Sequence, residues 1–347
     1  MSNLKISLCI PQYNRINYLL ENLKCIESQS YEDIEIVISD DCSTDETEIL
    51  IKQLIPTYKY SIIYNRNQSN KGYDFNLRNS MQLATGEYCF ILGNDDTLLK
   101  NDAITSLVSF LVNNDYPEIG FCNYIEDKNH SQIIERASTT SVIGKGYECA
   151  LKYYRSFSFV AGVIYKRSLF MELNTEKFDG SVFVQMYFAA KGIGKGARFF
   201  TIKEPLVLKD IIIDNNIANS YRDTLPRKWS HFKSLNGGIP AVINVGVSAF
   251  SEIGYSEERV IFALLSGIYR YSYIYWLLDY RKNNSFVGAC GLIHGLYPTQ
   301  IIEYKHLRIF KRMSIFSIYI LSTIIGIITP IYLFEKSKFL IYKMIKK

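Results

Sequence analysis

Short runs of β-branched and aromatic residues, bounded by polar residues, recur in the first hundred positions of the chain. Residues 34–38 read IEIVI, and residues 88–92 read YCFIL. Runs of this length and composition are typical of buried strands. The pattern therefore predicts an α/β domain in which both segments are strands of one sheet.

Each of these two predicted strands is followed directly by an acidic cluster. Residues 39–43 read SDDCS and residues 93–97 read GNDDT. The carboxyl ends of strands form the ligand crevice of open α/β sheets. Acidic side chains gathered on one rim repel each other unless a cation or hydrogen-bond donors lie among them. We therefore expect a binding site at this rim.

Each cluster also has a purely structural interpretation. Asp41, Ser43 and Asp45 could begin a helix, because the segment STDET precedes apolar residues at helical spacing. We favour this interpretation for Asp45. Asp95 and Asp96 could form a surface turn, but a turn would not require the strand before them to be so apolar. We therefore favour a site for this pair.

Several segments, in order along the chain, resemble motifs of the family 2 glycosyltransferases of the GT-A fold. They are residues 6–15 (ISLCIPQYNR), residues 38–45 (ISDDCSTD), residues 70–72 (NKG) with Arg78 and Asn79, residues 84–88 (ATGEY), and residues 94–96 (NDD). The resemblance covers residues 4 to about 210. The form LGNDD, with Asn76 and Leu77 upstream, is most similar to the abequosyltransferase-like branch, which adds sugars to O-antigen and related glycans.

The resemblance implies a nucleotide-sugar site with a divalent cation, Mn²⁺ or Mg²⁺, because a hard cation on carboxylate oxygens neutralises a departing diphosphate. Asp96 is the expected metal ligand, and Asp95 would assist it or contact the ribose. Gly93 stands where the first Asp of the family's DxD motif is often found. The expected nucleotide-sugar contacts are Pro11, Tyr13, Asn14, Asp40, Asp41, Lys71, Arg78 and Asp95. Two of them could instead have no role in binding. Tyr13 could be an ordinary core residue, and Arg78 could be a solvent-exposed residue on a helix.

The acceptor side of such a domain needs a carboxylate base for inversion at the anomeric carbon. Residues 159–167 resemble the acceptor-side strand that precedes the base-bearing helix. Family members commonly show a Glu-Asp pair beyond it, whereas this chain reads FDGSVFVQ at 178–185. Asp179 is the nearest carboxylate and the predicted base, and its alternative is a helix cap or turn residue. Glu176 and Asp210 are the reserves.

Charge divides the chain into two parts. Residues 226–347 contain 16 Lys or Arg against 6 Asp or Glu, a net charge of +10, and residues 1–225 contain 23 against 28, a net of −5. We predict a catalytic domain at 1–225, with a nucleotide-sugar half at 1–100 and an acceptor half at 101–225. Residues 226–347 would be a helical extension. Its basic residues alternate with apolar stretches, which favours an anionic membrane surface over nucleic acid.

The most apolar stretch of the extension is residues 313–334, where 22 positions carry no charge. Basic residues flank it on both sides, so the positive-inside rule gives no orientation. We predict a monotopic or re-entrant element on the cytoplasmic leaflet, interrupted by Pro330. A membrane-spanning helix and a buried core helix are the alternatives. The aromatic stretch at 261–278 predicts a helix that flanks the membrane or packs on the catalytic domain.

The seven cysteines have no CxxC spacing, and the histidines have no spacing that suggests a metal site. Residues 1–5 precede the first strand without a signal-peptide pattern. We therefore expect reduced cysteines and a cytoplasmic protein, peripheral or monotopic on the inner face of the cell membrane.

The resulting hypothesis is a metal-dependent inverting glycosyltransferase that moves a hexosyl or deoxyhexosyl group from a nucleotide-diphosphate donor to a growing, lipid-linked or oligosaccharide, surface glycan. A nucleotidyltransferase is an alternative, although residues 11–14 (PQYN) lack the Gly-rich basic phosphate loop that it would need. A catalytically silent nucleotide-sugar binder is another, because the Glu-Asp pair is missing. The oligomeric state is not predicted.

Overall fold

The computed structural model describes residues 4–217, 232–233, 237–283 and 286–337. The strands are β1 (Ile6–Gln12), β2 (Ile34–Asp40), β3 (Ser61–Arg66), β4 (Tyr88–Ile91), β5 (Thr97–Leu98), β6 (Ile119–Glu126), β7 (Asn129–Ile134), β8 (Ser141–Gly144), β9 (Val163–Lys166), β10 (Phe199–Lys209), β11 (Ile212–Ile213) and β12 (Asn216–Ile217). The helices are α1 (Ile16–Glu27), α2 (Thr47–Leu54), α3 (Tyr73–Leu83), α4 (Ala103–Asn113), α5 (Tyr147–Tyr153), α6 (Arg167–Leu173), α7 (Val184–Lys195), α8 (Ile239–Ser251), α9 (Glu257–Gly267), α10 (Tyr273–Asn283), α11 (Phe286–Gly295) and α12 (Ile309–Ile328).

A mixed sheet organises the first two thirds of the chain. Its strand order is β3-β2-β1-β4-β9-β6-β10-β5, with β7 beside β6 and β8 beside β10. The strands β3, β2, β1 and β4 are parallel, and β9 runs antiparallel between β4 and β6. The predicted strands at 34–38 and 88–92 are therefore confirmed as β2 and β4. The predicted acceptor-side strand is confirmed in part, since β9 covers Val163–Lys166 of it.

The register of the parallel strands brings the two acidic clusters to one edge. Ile6 of β1 is paired with Ile34 of β2 on one side and with Tyr88 of β4 on the other. The carboxyl ends of β2 and β4 thus flank that of β1, at a spacing of roughly 10 Å for two strand widths. This places both acidic turns on one rim, as the sequence predicts.

Alternating side chains of the strands enter two hydrophobic cores, one on each face of the sheet. In β1, Leu8 and Ile10 pack with α1 and α4, whereas Cys9 packs on the opposite face. The second core continues without a break into the C-terminal helices, where it includes Tyr269 and Tyr319. The helical region and the central sheet therefore share a core. The predicted boundary at 225/226 lies outside the described residues.

The aromatic stretch at 261–278 forms the end of α9, a π-helical turn at Ile268–Ser272 and the start of α10. Tyr269 and Tyr273 are fully buried, and their rings lie 5.6 and 5.5 Å from the ring of Tyr319 in α12. These two tyrosines therefore pack within the helical region, against α12, and the predicted packing on the catalytic domain stays a prediction. Tyr271 is exposed.

The uncharged segment predicted at 313–334 divides into two parts. α12 begins earlier, at Ile309, and ends at Ile328, and the chain is helical again at 331–337. The interruption falls at Pro330, as predicted, because proline cannot donate the hydrogen bond that would continue the helix. Among the described residues, α12 is the helix that is long and apolar enough to cross a bilayer. Most of it is not buried, so the buried-core alternative is wrong.

All seven cysteines are free, and Cys9, Cys89 and Cys122 are buried. This agrees with the sequence-based expectation that several cysteines serve as small core residues.

Candidate active site

The acidic turn after β2 is held by hydrogen bonds within the protein. Asp40 is fully buried and accepts hydrogen bonds from the backbone N–H of Ser43, at 2.9 Å, and from the hydroxyl of Tyr64, at 2.6 Å. It ties the turn to β3. Its predicted contact with the nucleotide stays a prediction.

Asp41 closes a second loop onto the same turn. One carboxylate oxygen accepts from the side-chain amide of Asn67 at 3.0 Å and from the backbone N–H of Lys71 at 2.8 Å, and the other accepts from the N–H of Gly72 at 2.8 Å. These bonds fix the start of α3, the helix that follows Gly72. The ammonium of Lys71 lies 4.5 Å from the centre of the Phe75 ring.

The loop after β1 adopts a left-handed backbone at two successive residues, Asn14 and Arg15, with φ of 53° and 61°. This conformation is costly for residues with a Cβ, and it is common at binding loops. Two hydrogen bonds hold Asn14 in this conformation. Its Oδ1 accepts from the N–H of Thr44 at 2.9 Å, and its N–H donates to Oγ of Ser43 at 2.8 Å. Asn14 thus connects the loops after β1 and β2.

Three residues near this loop have roles assigned from the sequence, and the structure shows where each one lies. Pro11 is half-buried and pairs in register with Ser39. Tyr13 is 44% exposed, so it is not a core residue and its ring is accessible to a ligand. Asp45 accepts a hydrogen bond from the N–H of Thr47 at 3.1 Å, which confirms its predicted capping role at the start of α2.

The second acidic turn, after β4, is buried and contains the two predicted metal ligands. Asp95 and Asp96 are 8% and 5% exposed. Nη1 of Arg15 lies 3.1 Å from Oδ2 of Asp95. The backbone N–H of Asp210 donates to Oδ1 of Asp96 at 3.0 Å.

Gly93 explains why this chain departs from the usual DxD pattern. A Cβ at this position would lie 2.6 Å from Oδ2 of Asp96 and 3.0 Å from Oδ1 of Asp95. Real Cβ atoms essentially never lie as close as 2.6 Å to another heavy atom, and 3.0 Å is at the edge of what they show. The absence of a side chain therefore lets both carboxylates fold back over the turn.

Burial raises the pKa values of both carboxyls of this pair. Burial raises the pKa of Asp96, and the neighbouring charge of Asp95 raises it further. Burial also raises the pKa of Asp95, although Arg15 opposes the shift. Within the described residues no group of three or more His, Cys, Asp and Glu side chains could hold a metal ion by itself. Two carboxylates nevertheless suit a cation such as Mg²⁺, which keeps water or substrate phosphates as its other ligands.

Sequence reasoning placed Asp210 among the reserve bases, but the structure brings it beside the acidic pair. It follows β10 and has a left-handed backbone, with φ of 54°. The ammonium of Lys209, itself only 6% exposed, donates to its carboxylate and lies 3.7 Å from that of Glu126. A Lys-Asp pair directly after the apolar run 205–208 was the available signal.

Gln12 is a site residue that sequence reasoning missed. It is fully buried at the end of β1, where its Oε1 accepts from the side-chain amide of Asn94 at 2.8 Å and its Nε2 donates to Oγ1 of Thr47 at 3.0 Å. Its backbone oxygen accepts from Asp41 and Asn76. Gln12 therefore links both acidic turns and α3. A polar residue that ends an apolar strand was the signal.

Arg78 and Asp179, predicted in different roles, are paired with each other. Nε and Nη2 of Arg78 lie 2.9 and 2.5 Å from the two carboxylate oxygens of Asp179, and Nη1 lies 3.1 Å from Oδ1 of Asn174. Arg78 is 3% exposed, so the solvated-helix alternative is wrong. Asp179 lies in a turn before α7, which agrees with its alternative as a turn residue.

Asp74, one turn before Arg78 on α3, holds the same segment. Its carboxylate accepts from the N–H groups of Val182 at 2.7 Å and Val184 at 3.1 Å, at the start of α7. Burial raises its pKa to about 6, although these two donors oppose the shift. α3 therefore joins the donor-side loops to the acceptor-side segment that carries Asp179.

The comparison with known families agrees with this geometry. Residues 7–173 match the family model described as "Glycosyl transferase family 2". These residues form a family 2 glycosyltransferase domain. The match includes both acidic turns and ends before Asp179.

Two curated relatives are similar to parts of this domain. The abequosyltransferase RfbV of Salmonella typhimurium is 44% identical over 132 residues, which is 36% of this chain and 39% of that protein. The GalNAc(5)-diNAcBac-PP-undecaprenol β-1,3-glucosyltransferase of Campylobacter jejuni is 34% identical over 107 residues, 30% of this chain and 33% of that protein. The predicted resemblance to the abequosyltransferase branch is confirmed.

Among solved structures, a fragment of S. aureus TarS, residues 1–349, in complex with UDP superposes with a TM-score of 0.59. The match covers 91% of this chain and 90% of that one, at 14% sequence identity. At this identity the likeness concerns the fold, and the predicted GT-A fold with a helical C-terminal region is confirmed.

Proposed function

We propose that the protein is a glycosyltransferase of surface-glycan synthesis that moves a sugar, with inversion, from a nucleotide-diphosphate donor to a growing glycan. The buried pair Asp95 and Asp96, on the rim of a family 2 domain, is the observation that carries the proposal. A buried pair of acids with raised pKa values is costly in a purely structural role. It is useful where a cation and a diphosphate bind.

Asp96, assisted by Asp95, would hold Mn²⁺ or Mg²⁺, which would neutralise the charge that develops on the leaving diphosphate. The protein supplies two further positive groups beside the pair, Arg15 and Lys209. Arg15 lies on the rim, with a side chain 31% exposed, and is placed to meet an anionic ligand. Asp41 and Tyr13 would contact the nucleoside.

Asp179 would accept the proton of the acceptor hydroxyl. A carboxylate has about four lone-pair sites, so the two bonds from Arg78 leave room for a proton. The bidentate pair would hold the carboxylate in one orientation, and it would tie the base to the same helix that follows the Asp41 loop. Arg78 therefore acts on the base in this mechanism, and its predicted contact with the diphosphate is a separate proposal.

The names of two relatives support a proposal for the acceptor class. One is named as an abequosyltransferase and the other as an enzyme of an undecaprenol-linked glycan. The aligned regions span less than two fifths of either relative. We therefore propose a lipid-linked or oligosaccharide acceptor and a hexosyl or deoxyhexosyl donor for this chain.

A donor screen tests the first half of this proposal. Nucleotide sugars would be compared by the shift in thermal unfolding midpoint with Mn²⁺, with Mg²⁺ and with chelator. We expect stabilisation by one donor group that depends on the cation. Equal stabilisation in chelator would contradict metal dependence.

Three variants test the second half. Asp179→Asn should keep donor binding and lower sugar transfer by a factor of about 10² to 10⁴. Glu176→Gln is the control, because Glu176 is exposed and lies in the same turn region. Asp210→Asn is not a clean control, since Asp210 contacts Asp96. Arg78→Lys should lower transfer rather than donor affinity if Arg78 acts through Asp179.

The same measurements address the silent-binder alternative, which the paired state of Asp179 keeps relevant. A binder would hold nucleotide sugar with metal and release no nucleotide when acceptor is added. Transfer by the wild-type protein that disappears in Asp179→Asn would rule this alternative out.

A further inference from the structure

The outer face of α12 has the reverse of the polarity expected for a surface helix. Its exposed large side chains include Phe310, Met313, Ile320, Leu321, Ile324 and Ile328, with exposed fractions of 82%, 59%, 39%, 61%, 48% and 69%. We call these six residues the outer stripe. A surface helix normally turns charged and polar residues to water and apolar residues inward.

The opposite side of α12 is buried against the rest of the protein. Its buried residues are Ile315, Tyr319, Ser322 and Gly326. At 100° per residue they centre roughly 180° from the outer stripe. α12 thus has an inner face that packs on the helical region and an outer face whose large side chains remain 39% to 82% exposed.

Contacts along its whole length tie α12 to the helical region. Near its start, the hydroxyl of Tyr304 donates to the carbonyl of Arg312 at 3.0 Å, and in the middle that of Tyr319 donates to the carbonyl of Ile293 at 2.9 Å. At its end, Arg281 of α10 donates to the carbonyls of Gly326, at 2.6 Å, and Thr329, at 2.8 Å.

These hydrogen bonds limit the orientations that α12 could take in a bilayer. If α12 crossed the membrane, α10 would be drawn into the hydrocarbon with Asp279, Arg281 and Lys282, and charges at that depth are costly. If α12 lies in the plane of the interface, only its outer stripe enters the lipid. The packing is therefore compatible with the in-plane orientation.

Charge selects lipid as the occupant. Lys305, Arg308, Lys311 and Arg312 lie at the start of α12, and Lys336 lies beyond its end. Glu258 offsets part of this charge, but the side chain of Arg308 remains 86% exposed. Two copies of the outer stripe paired in parallel would bring the four basic residues at the start of α12 against each other. An anionic lipid surface complements them.

We propose that α12 is an in-plane membrane anchor whose outer stripe enters the lipid interface of an anionic leaflet, with the helical region as its rigid support. This narrows the sequence-based alternatives of a spanning, re-entrant or monotopic segment to one orientation. The proposal does not depend on which sugar is transferred.

Flotation of the full-length protein with vesicles tests the surface. The vesicles are phosphatidylcholine alone or phosphatidylcholine mixed with phosphatidylglycerol. The double variant Leu321→Glu, Ile328→Glu should bind the mixed vesicles about tenfold to a hundredfold less well than the wild type, because two apolar side chains no longer enter the lipid. Ile49→Glu is the matched control, since Ile49 is 60% exposed on α2, and it should bind normally.

Both variants should keep the thermal unfolding midpoint of the wild type, because the substituted side chains lie in solvent. Flotation of the double variant equal to that of the wild type would overturn the proposal. The proposal would also be overturned if the wild type were a dimer, the double variant were a monomer, and both bound vesicles equally well. In that case a second copy of the chain would cover the outer stripe.

Depth measurements test the orientation. An environment-sensitive fluorophore would be attached in turn to Phe310→Cys, Leu321→Cys and Ile328→Cys, each in a Cys290→Ser background because Cys290 is exposed. Quenching by lipids that carry quenchers at different depths should place all three labels at one shallow level. A label at position 321 that lies deeper than both others would indicate a spanning helix and overturn the in-plane assignment.

Discussion

Each end of the central sheet contains a buried carboxylate, and the two carboxylates differ in the number of hydrogen bonds they accept. At the amino end of β2, the side chain of Glu35 is 1% exposed and accepts hydrogen bonds from Lys5 at 2.8 Å, Ser7 at 2.6 Å and the hydroxyl of Thr85 at 2.6 Å. At the carboxyl end of β4, Asp96 is 5% exposed, and within the described residues its one hydrogen-bond donor is the N–H of Asp210.

Their pKa values move in opposite directions. Burial alone would raise the pKa of Glu35, but the hydrogen bonds from Lys5, Ser7 and Thr85 outweigh it and lower the pKa to about 2. For Asp96, burial and the charge of Asp95 together raise the pKa. Burial is thus common to both, and the supply of donors decides the direction. The carboxylate at the amino end is fully supplied with donors, whereas the one at the carboxyl end accepts from a single backbone N–H among the described residues.

Among substitutions at the two ends of the sheet, Asp96→Asn should have the largest effect on sugar transfer. It replaces an anionic metal ligand by a neutral amide of similar volume, so sugar transfer should fall by a factor of about 10² to 10³. The unfolding midpoint should stay the same or rise, because a poorly compensated buried charge is removed. Asp102→Asn, at an exposed position, is the control. Full activity with a lowered midpoint would make Asp96 a structural residue like Glu35.

The variant Glu35→Gln should give the largest effect on stability. A lowered folded-state pKa contributes stability that is fully present above the unfolded value of about 4.5 and is lost as the pH falls toward about 2. At about 1.4 kcal/mol per pH unit between the two values, the contribution is up to about 3 kcal/mol.

Urea unfolding between pH 7 and pH 3 would measure this contribution. The wild type should lose stability relative to Glu35→Gln as the pH falls below 4.5, and Glu172→Gln, on an exposed ion pair, should follow the wild type. A constant difference between wild type and Glu35→Gln over this range would contradict the assignment.

The variant Asp41→Ala should affect donor affinity more than turnover. Asp41 holds the backbone of Lys71 and Gly72, so its loss should loosen the loop on the nucleoside side and raise KM for the donor by about tenfold, with kcat changed only a few-fold. Asp41→Asn keeps one acceptor oxygen, so its KM for the donor should lie between those of the wild type and Asp41→Ala. An unchanged KM would leave Asp41 with loop closure alone.

The variant Gln12→Leu should produce the smallest change. It removes the bonds to Asn94 and Thr47 and leaves the buried side-chain amide donor of Asn94 without this partner, which should cost about 1 to 3 kcal/mol of unfolding free energy. Transfer should fall by less than Asp96→Asn causes, because Gln12 only positions the acidic turn. Gln53→Leu, on the exposed face of α2, should change neither quantity.

The sequence alone determined the elements that depend on local pattern. The apolar runs before residues 39 and 93 predicted β2 and β4, and the acidic residues after them predicted a binding rim, because strand periodicity and strand-end position are local properties. The same holds for Asp45 as a cap and for Pro330 as the end of an apolar helix.

Only the tertiary structure decided which distant residues meet. Asp210 lies 114 positions from Asp96, and Asp179 lies 101 positions from Arg78, yet each pair is in hydrogen-bond contact. No local pattern carries that information, because it arises from the strand order and from the packing of α3 against the segment before α7. The two faces of α12 were also not visible in its largely apolar sequence, since only its neighbours determine which side is covered.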